Sequence, residues 1–290
     1  MRALALLALA AVADAWDVNA TGASAGCGSA PPVYPGAPAA KLAMWAPDAN
    51  PLFPDGYAQR HYFLWVPPTY DPKRPASLVV DFHGFYDNTG CDERRGCNSA
   101  SCMADSAFVT ALLAKLKGEL CVDLGAVHLA GISAGGMMAY QAALDNHAQI
   151  ASVAPVAGSR FVGFNEAPAS PVAVLSSHGY ADWTIPANAS NGEPGPKPRG
   201  VAESSDHFFY VEEPDILRKF SRNCDGRTAK YPTKYDGARE LQCVRPFGTC
   251  ESDIVMCVGQ WGHTWPLHKE YPEAWASLAL DFFAATKRSA

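Results

Sequence analysis

The sequence predicts an α/β fold, built as one domain around a mostly parallel sheet. Short apolar runs alternate with stretches whose apolar residues recur at helical spacing, and many of the runs are continuous rather than alternating in polarity. Continuous apolar strands are typical of parallel sheets that helices cover on both faces. No composition shift or internal repeat divides the chain, so one domain is expected.

The predicted strands begin near residue 60 and continue along the chain. His61–Val66 is an aromatic and β-branched run stopped by two prolines, and Ser77–Phe82 ends at the pair His83-Gly84. Further strands are predicted over 126–131, 150–157, 171–177 and 253–258.

Helices are predicted between these strands. Apolar residues at 108, 109, 112, 113 and 116 have the spacing of a helix over 106–120. Further helices are predicted over 134–144, 212–220 and 273–286, and a loop rich in Pro, Gly, Asn and Ser over 186–205.

Composition and charge exclude several classes of protein. Of the 290 residues, 48% are hydrophobic and 18% are charged, which excludes wholesale disorder. The net charge is -6 without a basic stripe, so no nucleic-acid partner is expected. No later segment approaches the roughly 20 apolar residues of a membrane span, so no membrane partner is expected. We also expect the chain to be a monomer.

The N-terminus has the pattern of a secretory signal peptide. Arg2 precedes an apolar run over 3–12, and Ala13-Asp14-Ala15 supplies a small-x-small cleavage site. We therefore expect a signal peptide over 1–15, an irregular Ala/Gly/Pro-rich arm over 16–55 and the main domain over 56–290. Asn19 and Asn188 begin candidate glycosylation triplets of a secreted chain.

Secretion would place the nine cysteines mostly in disulfides. Two groups of four could each form two bridges: Cys224, Cys243, Cys250 and Cys257, and Cys91, Cys97, Cys102 and Cys121. Cys27 is then the expected free thiol, although spacing alone does not determine the pairing. A zinc site is the alternative for the cluster at 91, 97 and 102, but its spacing is not C-x₂-C, so no metal is expected.

One motif has the form that a serine nucleophile requires. Residues 131–135 read Gly-Ile-Ser-Ala-Gly, which matches G-x-S-x-G after a predicted strand and before a predicted helix. The serine of this motif sits on a strained turn where neighbouring side chains would clash, which is why glycines flank it. The motif therefore indicates Ser133 as a nucleophile.

Such a serine needs a base and an orienting acid, in the chain order Ser, Asp/Glu, His. Three histidines lie well downstream, at 207, 263 and 268. His263 follows the last predicted strand, where a loop can carry an imidazole back to the serine, whereas His207 lies beside a flexible loop. Asp182 follows the predicted strand 171–177, at the strand end where open α/β sheets collect their active sites. We therefore predict Ser133, Asp182 and His263 as a catalytic triad.

The oxyanion of such a site needs backbone donors. The N–H of Ala134 directly follows the serine. The second donor should come from the turn after Phe82, where we favour the N–H of Phe85, with Gly84 allowing close approach.

Aromatic side chains flank these motif positions, at Tyr86, Tyr180, Trp183, Trp261 and Trp265. They predict either a substrate cleft for an aromatic acyl group or a sugar ring, or ordinary loop packing. The candidate substrate-binding residues are Tyr86, Trp183, Trp261 and Trp265.

A set of segments spans about residues 57–284 in a fixed order. The set comprises Arg60-x-Tyr62, Val66-Pro-Pro-x-Tyr70, Pro75-x-x-Leu-Val-Val-x-Phe-His-Gly84, Leu120-Cys-Val-Asp123, Gly131–Met138, His178-Gly-x-x-Asp182-x-x-x-Pro186, Asn223-Cys224 and Gly262-His-Thr-Trp-Pro266. It resembles secreted feruloyl esterases and polyhydroxybutyrate depolymerase-like esterases of the α/β-hydrolase superfamily. The resemblance implies that Ser133, Asp182 and His263 are the triad. It also implies hydrolysis of feruloyl or acetyl esters of polysaccharides, or of hydroxyalkanoate polyesters, without a cofactor.

The chain departs from this family in one place. Between Gly84 and the helix that starts near Asp105, the family has a helix, a further strand and a Trp-containing loop, whereas this chain has only the Cys-rich stretch 85–104. The domain is therefore expected to be one βα unit shorter than the family. That loss would leave a gap in the sheet or force residues 62–66 to pair directly with 78–82. The chain is then either a compact variant or the product of a gene model that lacks an exon.

Three classes of function remain open. The leading one is a secreted serine esterase acting on an ester-bearing polysaccharide, with polyester depolymerisation as the alternative. A serine peptidase of the prolyl-oligopeptidase type shares the serine motif but would carry a propeller domain. A non-catalytic carbohydrate-binding relative stays open because of the missing unit.

Overall fold

Twelve strands and four α-helices form the described part of the chain. The computed structural model describes residues 5–8, 22–45, 59–84, 105–162, 167–192, 194–267 and 269–288. The strands are β1 (Ala5–Ala8), β2 (Ala40–Trp45), β3 (Gln59–Trp65), β4 (Ala76–Phe82), β5 (Val122–Ile132), β6 (Ser152–Val156), β7 (Ala173–Gly179), β8 (Val201–Glu203), β9 (Phe209–Val211), β10 (Ala229–Lys230), β11 (Gln242–Arg245) and β12 (Ile254–Gly259). The helices are α1 (Asp105–Glu119), α2 (Ala134–Asp145), α3 (Glu213–Phe220) and α4 (Ala274–Ala285).

Ten of these strands form one sheet, in the order β10-β11-β12-β7-β6-β5-β4-β1-β3-β2. Strands β4, β5, β6, β7 and β12 are parallel neighbours. Both flanks contain antiparallel pairs. On one side β2 pairs with β3, and on the other β11 pairs with both β10 and β12. Strands β8 and β9 form a separate hairpin. The predicted mostly parallel sheet is confirmed.

Helices cover both faces of this sheet. Along β4, Leu78 and Val80 join one apolar cluster and Val79 joins the other, because successive side chains of a strand alternate between faces. The first cluster includes the buried sides of α1, α2 and α3, and the second includes the buried side of α4. Within the described ranges, none of the helices has the length and apolar character needed to cross a bilayer.

Four of the short strands lie where the sequence predicted no strand. Strand β2 falls within the arm expected over 16–55, β8 falls within the loop expected over 186–205, and β10 and β11 precede β12. Their residues are mostly exposed or half-buried, so their local pattern is weak and a distant partner strand decides their conformation. All the strands and helices predicted from periodicity are present, with bounds that differ by a few residues.

Strand β1 lies between β3 and β4, where the sequence predicted a missing strand. It pairs in parallel with β3, with Leu6 opposite Phe63, and antiparallel with β4, with Leu7 opposite Val80. Neither expected arrangement, a gap or a direct pairing of residues 62–66 with 78–82, is therefore present. The residues of β1 fall within the predicted signal peptide, whose cleavage stays a prediction.

Three disulfides are formed among the described residues. Cys224–Cys250 and Cys243–Cys257 are the two bridges expected from the four C-terminal cysteines. The third is Cys27–Cys121, so the expectation that Cys27 is the free thiol was wrong.

The physical reason lies in the path of residues 22–28. The N–H of Ser24 donates to the Val122 carbonyl at 2.9 Å, and the N–H of Gly26 donates to the Lys117 carbonyl at 2.9 Å. These bonds hold the arm against the junction of α1 and β5 and bring Cys27 to Cys121. Cys91, Cys97 and Cys102 lie outside the described residues. Because Cys121 is bonded to Cys27, the expectation of two bridges among Cys91, Cys97, Cys102 and Cys121 was also wrong.

Candidate active site

The carboxyl ends of the parallel strands meet at one edge of the sheet. Val156 lies opposite Ile132 on one side and Ser177 on the other, and His178 lies opposite Val258. The segments that follow β5, β7 and β12 therefore emerge side by side. These segments carry the three residues that the sequence predicted as a triad.

Ser133 lies on a strained turn between β5 and α2. Its φ of 59° and ψ of -124° lie in a region that L side chains rarely adopt. Its N–H donates to the Val156 carbonyl at 2.9 Å, which anchors the turn to β6. A Cβ at Gly135 would overlap the carbonyl oxygen of Phe82, so α2 can start this close to β4 only with glycine at that position.

Ser133, His263 and Asp182 form one hydrogen-bonded chain. Nε2 of His263 lies 2.7 Å from Oγ of Ser133, and Nδ1 lies 3.1 and 2.9 Å from Oδ1 and Oδ2 of Asp182. A carboxylate only accepts, so Nδ1 carries the proton and Nε2 accepts from the serine hydroxyl. This is the order of contacts that a nucleophile, a general base and an orienting acid require.

The carboxylate of Asp182 is shielded from water, with 0% of the residue exposed. Its Oδ1 accepts hydrogen bonds from the N–H groups of Thr184 and Ile185, each at 3.0 Å. Backbone donors of this kind stabilise a carboxylate charge where water cannot reach it. The turn over 182–185 therefore fixes the orientation of the carboxylate.

The loops that carry Asp182 and His263 are joined to each other. The N–H of Ala181 donates to the Trp261 carbonyl at 3.0 Å, and the N–H of Tyr180 donates to the Gly259 carbonyl at 2.9 Å. A Cβ at Gly179 would overlap the Trp261 carbonyl oxygen, so this approach also requires glycine. The two loops are thereby held at a fixed separation.

A second histidine–carboxylate pair lies directly behind Asp182. His178 and Glu213 are each 1% exposed, and Nδ1 of His178 lies 3.4 Å from Oε2 of Glu213. Nε2 of His178 lies 2.9 Å from the Ile185 carbonyl oxygen and 3.8 Å from Oδ2 of Asp182. Burial by itself lowers the pKa of His178, but the carboxylates of Glu213 and Asp182 outweigh it and raise the pKa above its ordinary value.

Neither member of this pair has a functional role predicted from the sequence. His178 is visible in the motif His-Gly-x-x-Asp, beside Asp182, and could have been noted there. Glu213 lies in the first turn of a short helix, where an acidic residue is ordinarily a solvated partner of the helix dipole. Nothing local in the sequence predicts that its carboxylate is buried.

The structure describes one of the two predicted oxyanion donors. Ala134 is the first residue of α2 and directly follows Ser133. Phe85 and Tyr86 lie outside the described residues. Gly84, the last described residue before them, is close to the serine, because a Cβ at Gly84 would lie 3.5 Å from Cβ of Ser133.

The three predicted substrate-binding tryptophans differ in their surroundings. Trp183 is 54% exposed beside Asp182, as a cleft or rim residue should be. Trp261 is only 5% exposed and packs in the apolar cluster on α4, so it belongs to the core and not to a substrate cleft. Trp265 is half-buried against the same cluster. Burial thus corrects the expectation for Trp261, because the link to the Asp182 loop draws it inward.

Five exposed apolar side chains lie on segments that run through or are joined to the Asp182 loop by backbone hydrogen bonds, and we call them the aromatic rim. They are Val162, Tyr180, Trp183, Phe208 and Phe209. The Trp183 carbonyl accepts from Ser205, the Phe208 carbonyl accepts from Ser204, and the N–H of Val162 donates to the Phe209 carbonyl at 3.2 Å. The sequence indicated only Tyr180 and Trp183 of this set, because the others come from segments without a motif.

Two other predicted alternatives can be compared with the structure. His207, one of the three candidate bases, lies on the surface, with Nδ1 2.8 Å from Oε1 of Glu203, whereas His268 lies outside the described residues. Where the structure describes the chain, no group of three or more His, Cys, Asp or Glu side chains is placed to hold a metal ion.

Comparison with known proteins gives relatives of one kind. No family model matches the chain. It is 28% identical over 153 residues to feruloyl esterase C of Emericella nidulans, and 28% identical over 166 residues to a probable feruloyl esterase C of Aspergillus niger. These alignments cover 44% and 47% of this chain and 56% and 61% of the relatives, so the chain spans less than two thirds of their length.

One solved structure agrees with the fold over most of the chain. The crystal structure of a thermostable esterase matches with a TM-score of 0.51 at 15% sequence identity, covering 86% of this chain and 63% of that one. This match, the parallel sheet and the helices on both faces show an α/β-hydrolase fold. The similarity to feruloyl esterases agrees with the resemblance stated from the sequence.

Proposed function

We propose that this chain is a secreted serine esterase that hydrolyses carboxylic esters through an acyl-enzyme on Ser133. The observation that carries the proposal is the hydrogen-bonded chain Ser133–His263–Asp182, with 2.7 Å between Oγ and Nε2. The feruloyl esterase relatives support an ester as the bond that is cleaved. The three disulfides support an oxidising compartment, as secretion requires.

Acylation begins when Oγ of Ser133 attacks the ester carbonyl carbon. Nε2 of His263 takes the hydroxyl proton, and the Asp182 carboxylate at Nδ1 stabilises the imidazolium that forms. Collapse of the tetrahedral intermediate breaks the bond to the alcohol oxygen, which receives the proton from Nε2. The acyl group is then bound to Ser133 and the alcohol leaves.

The negative oxygen of the intermediate needs donors aimed at it. The N–H of Ala134 is one such donor, since it opens α2 directly after the nucleophile. The closeness of Gly84 to Ser133 supports the turn after β4 as the source of the second, for which Phe85 remains our assignment. Deacylation follows the same steps with water as the nucleophile. The water oxygen attacks the acyl carbon while His263 accepts its proton.

The aromatic rim supports a substrate with an aromatic or apolar part. An aromatic acyl group could pack on Trp183 and its neighbours while its carbonyl reaches Ser133. We therefore propose feruloyl esters of polysaccharides as the leading substrate class, ahead of acetyl esters, whose methyl group is too small to use such a rim.

A polyhydroxyalkanoate polyester is the second candidate. The specific observation in its favour is the composition of the rim, whose five apolar side chains are all exposed to solvent. Methyl ferulate, acetylated xylan and polyhydroxybutyrate assayed in parallel would separate the three substrate classes.

The decisive experiment is Ser133→Ala with a p-nitrophenyl ester as substrate. We expect hydrolysis to be lost while the far-UV circular dichroism stays unchanged, and we expect a fluorophosphonate probe to label the wild type only. Retained hydrolysis in the variant contradicts the assignment. An unreactive wild-type serine would favour a non-catalytic carbohydrate-binding relative, and cleavage of amides in preference to esters would favour a peptidase.

A further inference from the structure

The pair behind Asp182 is the feature that the chemistry above leaves unused. We propose that Glu213 and His178 are positioning residues, a buried carboxylate–imidazolium pair that holds the 182–185 turn and thereby keeps Asp182 aligned with His263. This inference rests on the proposed function, because it gives the two residues a part in the same reaction. Four steps carry it, from Glu213 outward to the triad.

The Glu213 carboxylate is fixed by groups from two other elements. The hydroxyl of Tyr140 on α2 donates to Oε1 at 2.6 Å, and the hydroxyl of Ser176 on β7 donates to the same oxygen. Burial and then the charge of Glu213 raise the pKa of Tyr140, which keeps its hydroxyl a donor. Both hydroxyls occupy Oε1, so Oε2 is left facing His178.

The partners of His178 require a proton on each ring nitrogen. The Ile185 carbonyl can only accept, so Nε2, at 2.9 Å, donates to it. An unprotonated Nδ1 would turn its lone pair toward the Glu213 carboxylate at 3.4 Å, between two side chains that are each shielded from bulk solvent. A protonated Nδ1 instead forms an ion pair there.

The charges around the ring favour the same state. The titratable groups that face His178 are Glu213 from α3 and Asp182 from the turn after β7, both carboxylates. Tyr140 contacts Glu213 and His263 contacts Asp182, so each reaches His178 only through one of these carboxylates. One imidazolium between two buried carboxylates compensates charge that would otherwise be costly to bury.

Ile185 transmits the position of His178 to Asp182. Its carbonyl accepts from Nε2 of His178, and its N–H donates to Oδ1 of Asp182 at 3.0 Å. The imidazolium also lies 3.8 Å from Oδ2 of Asp182 and stabilises that charge directly. The pair therefore acts through Asp182, and we expect its loss to lower kcat without raising KM.

The first test measures the protonation of His178 and does not depend on catalysis. Long-range ¹H–¹⁵N spectra of the histidine-labelled full chain near neutral pH, assigned by comparison with His178→Gln, should show both ring nitrogens protonated. In Glu213→Gln we expect Nδ1 to lose its proton while Nε2 keeps its own. A wild-type His178 with a single protonated nitrogen overturns the proposal.

The second test compares Glu213→Gln with Asp105→Asn. Asp105 is also a buried carboxylate with a cationic partner, Arg60, but that pair joins α1 to β3, neither of which carries a triad residue. We expect Glu213→Gln to lower kcat for a p-nitrophenyl ester about tenfold, the order seen when a group that orients an active residue is lost. We expect Asp105→Asn to lower the free energy of unfolding and leave kcat unchanged.

Equal kcat values for Glu213→Gln and the wild type would reduce the pair to a structural role and overturn the proposal. If Glu213→Gln does not fold, the wild-type spectrum still decides. The proposed function is tested separately, because it is rejected only if Ser133→Ala retains hydrolysis. A lost activity in Ser133→Ala beside an unchanged kcat in Glu213→Gln rejects the positioning pair alone.

Discussion

Gly135 on α2 lies so close to the carbonyl oxygen of Phe82 on β4 that a Cβ has no room between them. The first turn of α2 therefore sits directly on the end of the neighbouring strand. Because Ser133 lies two residues before Gly135, this approach sets where the serine hydroxyl is presented. The geometry of the nucleophile thus depends on a residue that has no side chain to take part in the chemistry.

Replacement of this glycine, Gly135→Ala, should displace the turn that carries Ser133. The added methyl must push α2 away from backbone atoms of β4, and misplacement by about 1 Å can cost about a hundredfold in rate. We expect the rate of fluorophosphonate labelling at Ser133 to fall by that order, with a loss of about 1–3 kcal/mol in the free energy of unfolding.

Gly118→Ala is the matched control for this variant. Gly118 lies near the end of α1, and a Cβ there meets nothing within 4 Å. Alanine should stabilise that helix by up to about 1 kcal/mol and leave the labelling rate unchanged. A labelling rate equal to that of the wild type in Gly135→Ala would show that the close approach does not set the position of Ser133.

Asp81→Asn should stabilise the protein at neutral pH and not in acid. Burial raises the pKa of the Asp81 carboxyl to about 6, against a partial opposing effect of His83. Its Oδ1 has no hydrogen-bond partner among the described residues. A carboxyl whose pKa is higher in the folded state binds protons more tightly there, so stability decreases as the pH rises from about 4 to about 6.

The asparagine removes this penalty, which is about 3 kcal/mol above that range. Urea denaturation at pH 8 should therefore show the variant to be more stable than the wild type, and the difference should vanish near pH 3. Asp281→Asn, on the exposed side of α4, is the control. An equal gain for Asp81→Asn at both pH values would contradict the role assigned to its charge.

The disulfides should contribute to stability in the order of the loops they close. Cys27–Cys121 joins residues 94 positions apart, and Cys243–Cys257 joins residues 14 positions apart. Closing a loop of about 100 residues is worth about 4.7 kcal/mol, and a loop of about 15 residues about 3 kcal/mol, through the entropy of the unfolded chain. Paired Cys→Ala variants compared by urea denaturation should show the larger loss for the first bridge, and the reverse order would contradict this reasoning.

Trp183 and Trp261, which flank triad residues in the sequence, should respond to alanine in opposite ways. Trp183→Ala removes an exposed ring of the aromatic rim, so we expect KM for methyl ferulate to rise while the free energy of unfolding changes little. Trp261→Ala leaves a cavity in the core and should cost about 3–5 kcal/mol of stability. Steady-state kinetics with methyl ferulate and with an acetyl ester, beside urea denaturation, separate the two effects. An unchanged KM for methyl ferulate in Trp183→Ala would exclude Trp183 from substrate binding.

The central strands and the helices could be predicted because their signals are local. Continuous apolar runs such as β6 and the helical spacing of α1 are present in the residues themselves, and so is the serine motif between β5 and α2. The closeness of Ser133, Asp182 and His263 also follows, because the ends of parallel strands meet at one edge of a sheet.

What the sequence did not predict depends on contacts between distant segments. Trp261 and Trp183 both flank motif residues, and only the packing of the β12 loop against α4 decides which of them is buried. Glu213 is buried because Tyr140 and Ser176 converge on it from two other elements. Cys27 meets Cys121 because an arm without sustained periodicity forms backbone hydrogen bonds with the start of β5.

The place of β1 in the sheet has a consequence for proteolytic processing of the chain. Within the described residues, β1 connects the β2–β3 pair to the seven other strands of the sheet, since β3 and β4 each pair with it and not with each other. A proteolytic cut after Ala15 would detach the segment that makes this connection. In the processed chain, β3 and β4 would then either be separated by a gap or pair with each other directly, so removal of the leader requires the two halves of the sheet to meet in a new way.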